Sequence, residues 1–154
     1  MNRVFQKFGG IIVPVAALAV MIGTGYRAVA AEKGEAVKVN LTGDQEVPAV
    51  KTSASGTGTI TIAPDKTVSG QITTSGLEGT VAHIHDSMPG QTMCGAKNGP
   101  VIIPLTKGPD NTWSVPPGSK LSDAQYESFK AGNLYVNVHS AAHKGGEICA
   151  QLKP

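Results

Sequence analysis

Short runs of alternating apolar and polar residues, each closed by glycine, proline or small polar residues, limit this chain to a β architecture. In the clearest run, Leu134, Val136 and Val138 fall on one face of a strand and Tyr135, Asn137 and His139 on the other. Comparable runs predict strands over 36–41, 56–63, 68–75, 81–85, 101–105, 113–115, 134–139 and 147–152. Nineteen glycines and ten prolines supply the turns that so many short strands need. Pro64-Asp65-Lys66 is a strong turn and predicts a hairpin between the second and third strands. One helix interrupts the pattern, with Ser122 as N-cap, Asp123 in the first turn and Gly132 as its stop. Its Tyr126 and Phe129 share a face and, with Leu121, are expected to cover one end of a barrel. The expected fold class is therefore all-β, a sandwich or barrel with one short helix near 122–131.

The N-terminus carries a different signal. Arg3 and Lys7 precede an apolar stretch over 11–22, and Ala28-Val29-Ala30 offers the small-x-small pattern of a signal peptidase site. This predicts a signal peptide over 1–30, cleavage near Ala30-Ala31, and a single domain over 31–154 in the periplasm or outside the cell. The apolar stretch is short and broken by Gly and Pro, so a retained anchor is the lesser reading, and no other segment suits a bilayer. Arg3, Lys7 and Arg27 all lie in the leader. The remainder holds ten lysines against eleven acids, about −1, which offers nothing to nucleic acid or to an anionic lipid surface.

Four histidines are present, and three could meet. His83 and His85 are two apart in "VAHIHDS", so on a strand both imidazoles project from one face. His139 lies on the polar face of its own strand. If the two strands are close, His83, His85 and His139 converge outside the core and can hold Cu or Zn, with Cu(II) favoured by the Irving–Williams order. The bland alternative is that the three hydrogen-bond to loops and pin the barrel. His143, in the "SAAHKGG" loop, reads as a solvated residue that could swing in as a further ligand, and Asp86 as an acceptor that could orient an imidazole.

The two cysteines suit an exported protein. A Cys94–Cys149 disulfide would tie the loop after the His pair to the last strand and close a long segment, worth roughly 4 kcal/mol in the loop-entropy model. Its rival makes Cys94 a thiolate ligand, with Met88 or Met93 as a soft axial donor, and leaves Cys149 without a role. Glu46 in "DQEVPAV" is a lone acid in a turn-like segment and reads as a hydrogen-bonding group. No Gly-x-Ser-x-Gly elbow or phosphate-binding glycine loop is present, since the glycines of "SASGTGTIT" sit in a strand, where they mark a bulge or close packing.

The segments "LTGDQEVPAV", "SASGTGTITI", "GTVAHIHDS", "GPVIIPL", "AGNLYVNVHS" and "GGEICAQL" resemble, in order, those of the chordin-type (CHRD) domain across nearly all of 31–154. That resemblance implies a Greek-key barrel similar to copper/zinc superoxide dismutase and to immunoglobulin-like sandwiches. His83-x-His85, Cys94, Gly99-Pro100, Pro104-Leu105, His139 and Cys149 follow the order of the dismutase's copper pair, bridge cysteine, Gly-Pro loop, last copper histidine and second bridge cysteine.

The departures narrow what the resemblance implies. Val101 stands where the dismutase has its copper–zinc bridging histidine, and no other residue of that loop restores a zinc set, so no zinc site is expected. Gly146 stands where the dismutase has its anion-guiding arginine, and the loop from His139 to Cys149 is short, which leaves any copper open to solvent. The expectation is an exported CHRD-domain protein binding one copper ion through His83, His85 and His139, for sequestration or redox. A non-catalytic module that binds another exported protein is the alternative, and a superoxide dismutase-like enzyme ranks third.

Overall fold

The computed structural model describes residues 33–154 apart from 88–89, 91–93 and 95–97. The expected leader and cleavage site, with Met88 and Met93, lie outside the described residues. Among the described residues nine strands form one sheet: β1 (Glu35–Thr42), β2 (Ser55–Ile62), β3 (Val68–Ser75), β4 (Gly79–Asp86), β5 (Val101–Pro104), β6 (Thr106–Lys107), β7 (Thr112–Ser114), β8 (Leu134–Ser140) and β9 (Ile148–Leu152). Their order is β5-β4-β8-β9-β1-β2-β3-β7-β6, and every pairing is antiparallel.

The sheet curls almost closed because its two edges are consecutive in the chain. Only Leu105 separates β5 from β6, so one edge strand cannot lie far from the other. The Leu105 N–H donates to the Ala82 carbonyl at 2.9 Å, and Lys107 Nζ to the Gly79 carbonyl at 2.7 Å, laying this segment along β4. The links from β3 to β4 and from β7 to β8 join strands that are not neighbours, as in a Greek key. A closed sheet also leaves little open edge for another chain to pair with.

Alternation fills the interior as the sequence suggests. Val37, Val39 and Leu41 of β1, Ile60 and Ile62 of β2, Leu134, Val136 and Val138 of β8, and Ile148 and Leu152 of β9 are all buried in one core with Trp113. The register of β2 against both neighbours is unbroken, so the glycines of "SASGTGTIT" serve close packing and not a bulge. β6 was not predictable, since two residues cannot display an alternation.

The helix α1 (Asp123–Lys130) closes one end, with Phe129 and Leu121 buried and Tyr126 packed against the core. Ser122 caps it as expected, and Gln125 completes a capping box: the Gln125 N–H donates to Ser122 Oγ at 3.2 Å, while the Ser122 N–H donates to Gln125 Oε1 at 2.8 Å. Ser122→Ala should cost about 1 kcal/mol in urea unfolding, with no change in m-value. Among the described residues no helix is long and apolar enough to cross a membrane.

One expectation is corrected. Tyr135, Asn137 and His139 do lie opposite the core-facing residues of β8, but that face is not open, and all seven residues of β8 are buried. Two loops cover it. One ends in Asn98 and Gly99, and the other runs from the end of β8 to β9.

Candidate metal centre

β4 and β8 are neighbours, with His83 opposite Asn137 and Val81 opposite His139. His139 is therefore the diagonal neighbour of His83, a spacing that imidazoles can bridge. Ring centroids lie 5.3 Å apart for His83 and His85, 5.1 Å for His83 and His139, and 5.8 Å for His85 and His139. One nitrogen of each ring lies within 4.8 Å of the other two. Two of the ring nitrogens, His83 Nδ1 and His139 Nε2, are already 3.3 Å apart. That matches the edge of a tetrahedral site with bonds of about 2.0–2.1 Å, which is about 3.3–3.4 Å.

Backbone carbonyls decide which nitrogens face the centre. A carbonyl can only accept, so the ring nitrogen beside it carries the hydrogen. His85 Nδ1–H donates to the Gly99 carbonyl at 2.9 Å, and His139 Nδ1–H to the Lys144 carbonyl at 3.0 Å. Each neutral ring is then left with its lone pair on Nε2. For His139 that lone pair accepts from His83 Nδ1–H. For His85 it has no partner, although the atom is buried.

Burial holds all three imidazoles below the usual histidine range, His139 furthest, down to about 4. For His85 and His139 the carbonyl hydrogen bonds oppose that shift without cancelling it. Above pH 6.5 all three rings are neutral, so a cation entering the cluster would displace no bound proton to solvent. His83 would only transfer its hydrogen from Nδ1 to Nε2.

Exposure of the centre is less than expected. His85 and His139 are 2 % and 5 % exposed, and His83 alone is partly open. Val81 and Val101, 44 % and 49 % exposed, lie on the same sheet face, opposite His139 and His85 respectively.

The other candidates lie elsewhere. His143 is outside the three-histidine cluster; its loop folds back through hydrogen bonds from its N–H to Ser140 Oγ and from the Gly146 N–H to its carbonyl. The Asp86 carboxylate accepts from Ser128 Oγ of α1 at 2.6 Å, on the other face of β4. The orienting groups are thus the Gly99 and Lys144 carbonyls, which no side-chain pattern reveals. Cys94 and Cys149 form a disulfide with a Cα–Cα distance of 6.2 Å, which fits an oxidising compartment and removes Cys94 as a thiolate ligand.

Around the histidines sits a buried polar layer. The Tyr135 ring stacks on His85, with centroids 5.0 Å apart and planes 9° from parallel. Asn137 Nδ2 donates to Asn98 Oδ1 at 3.3 Å and to the Gly145 carbonyl at 3.4 Å. Glu46 is 6 % exposed, and burial raises its carboxyl to about 7. Gly146 packs between Asn137 and Glu46 at φ +132°, and a Cβ there would lie 2.5 Å from Glu46 Oε1 and 2.6 Å from Asn137 Oδ1. No side chain fits, an arginine least of all.

A family model described as CHRD domain matches residues 37–152, which run from β1 to the end of β9. No curated protein and no solved structure matches the chain.

Proposed function

The chain belongs to the CHRD domain family, and we propose that this exported, periplasmic or secreted member binds one copper ion through His83 Nδ1, His85 Nε2 and His139 Nε2. The observation that carries this reading is the buried, unpartnered Nε2 of His85, in a cluster whose three rings each bring a nitrogen within 4.8 Å of the others. A buried acceptor without a donor costs about 1–3 kcal/mol, and a bound cation removes that cost. Three neutral nitrogen donors suit Cu(I), Cu(II) and Zn(II), and copper is the stronger binder of the divalent pair. When bound, copper would supply reversible one-electron chemistry at a site with an open position. The chain's own part is to hold two rings by backbone carbonyls and to leave His83 as the exposed edge.

A reading in which the histidines only pin the barrel of a protein-interaction module explains the two carbonyl hydrogen bonds, but leaves His85 Nε2 buried for nothing. A dismutase-like enzyme is disfavoured by Gly146, because the backbone conformation and the packing of Asn137 and Glu46 exclude an anion-guiding side chain at that place. The two arginines of the sequence, Arg3 and Arg27, lie in the leader.

Equilibrium titration of the oxidised protein with Cu(II) tests the proposal. One equivalent should bind tightly, and His83→Ala/His139→Ala should abolish stoichiometric binding while retaining the fold. Absence of tight binding by the wild type, or undiminished binding by the double variant, overturns it.

A further inference from the structure

Resting on the metal-site reading, we infer that Tyr135 is a positioning residue, which holds His85 in the tautomer and orientation that present Nε2 to the ion. The inference stands on a closed ring of contacts. The Tyr135 ring lies face to face with the His85 ring, and its hydroxyl accepts the Gly99 N–H at 2.9 Å. The carbonyl of that same residue, Gly99, accepts from His85 Nδ1 at 2.9 Å. One phenol therefore controls both the plane of the imidazole and the segment that selects its tautomer.

The neighbours make Tyr135 rigid enough for this task. It is fully buried and packs with Cys94 and Cys149 in a cluster separate from the main core, so the disulfide forms part of its seat. Its hydroxyl donates to Asn98 Oδ1 at 3.4 Å. Gly99 can approach β4 only because it lacks a side chain, since a Cβ would overlap the Asp86 carbonyl. The Asp86 N–H donates to the Pro100 carbonyl at 3.1 Å and fixes the far side of the segment. His139 has a separate support, the Lys144 carbonyl, which Tyr135 does not touch. Loss of the phenol hydroxyl should therefore disturb His85 and spare His139.

Tyr135→Phe keeps the ring and removes the hydroxyl. Nitrogen-15 NMR of the metal-free, oxidised protein should show wild-type His85 as the Nδ1–H tautomer and a mixture in Tyr135→Phe, with the His139 tautomer unchanged. Cu(II) affinity should fall about 10-fold, as for other residues that orient a ligand. Asn98→Ala removes the hydroxyl's acceptor and should shift the His85 readout the same way by a smaller factor; because Asn98 also bonds Asn137 and the Gly145 carbonyl beside Lys144, its effect on His139 is not diagnostic. Unchanged His85 tautomer in both variants overturns the inference, as does an equal change at His139 in Tyr135→Phe, which would mean general loosening. If the wild type binds no copper but the His85 tautomer responds, the positioning role stands and the metal reading falls.

Discussion

Removal of the Cys94–Cys149 bridge is expected to lower the unfolding free energy by about 4 kcal/mol, the loop-entropy value for a closed segment of this length. The bridge spans 55 positions, and its opening frees the unfolded chain far more than it alters the folded one. For a domain of this size the loss corresponds to a fall in Tm on the order of 10–15 °C. Cys94→Ser/Cys149→Ser, followed by urea and thermal unfolding of metal-free protein, measures it. Both cysteines are buried beside Tyr135, so two serine hydroxyls add a further cost and the entropic figure is a lower bound. A loss below about 1 kcal/mol would mean that the covalent tie contributes little.

In metal-free protein, the acid loss of stability between pH 6.5 and 4.5 should be partly masked, because two large dependences, those of His139 and Glu46, oppose each other. His139 titrates at about 4 when folded and at 6.5 when free, so its contribution is complete above 6.5 and is lost as pH falls toward 4. Glu46 titrates at about 7 when folded and at 4.5 when free, so its contribution is complete below 4.5 and is lost as pH rises toward 7. Each is worth about 3 kcal/mol over its range. Glu46→Gln removes one limb: the variant should gain up to about 3 kcal/mol above pH 7 and lose the same amount on acidification from pH 7 to 4. His83 and His85, also held below the usual range by burial, add to that acid loss. Urea unfolding at half-unit pH steps, with a chelator present, gives the curves. A Glu46→Gln curve parallel to wild type would contradict the assignment.

Those two groups also mark where the sequence was legible. Strand after strand was readable because burial on one face imposes a period of two, and α1 because Ser122 and Gly132 carry their own geometry. The histidine cluster was readable for the same reason. His83 and His85 share a face by spacing, and the alternation of β8 sets His139 opposite Leu134, Val136 and Val138. The covering layer was not. Gly99 and Lys144 act through their carbonyls, which every residue has, and Asn98 meets Tyr135 and Asn137 across 37 and 39 positions of chain. Glu46 was visible only as one acid in a turn, because desolvation depends on packing that no local pattern encodes.

In a crystal structure of the oxidised protein loaded with one equivalent of copper, the anomalous signal at the copper edge locates the ion. The expected result is a single peak about 2.0–2.1 Å from His83 Nδ1, His85 Nε2 and His139 Nε2, with the Gly99 and Lys144 carbonyl hydrogen bonds retained. A peak held by other residues, or no ordered peak at stoichiometric copper, would contradict it.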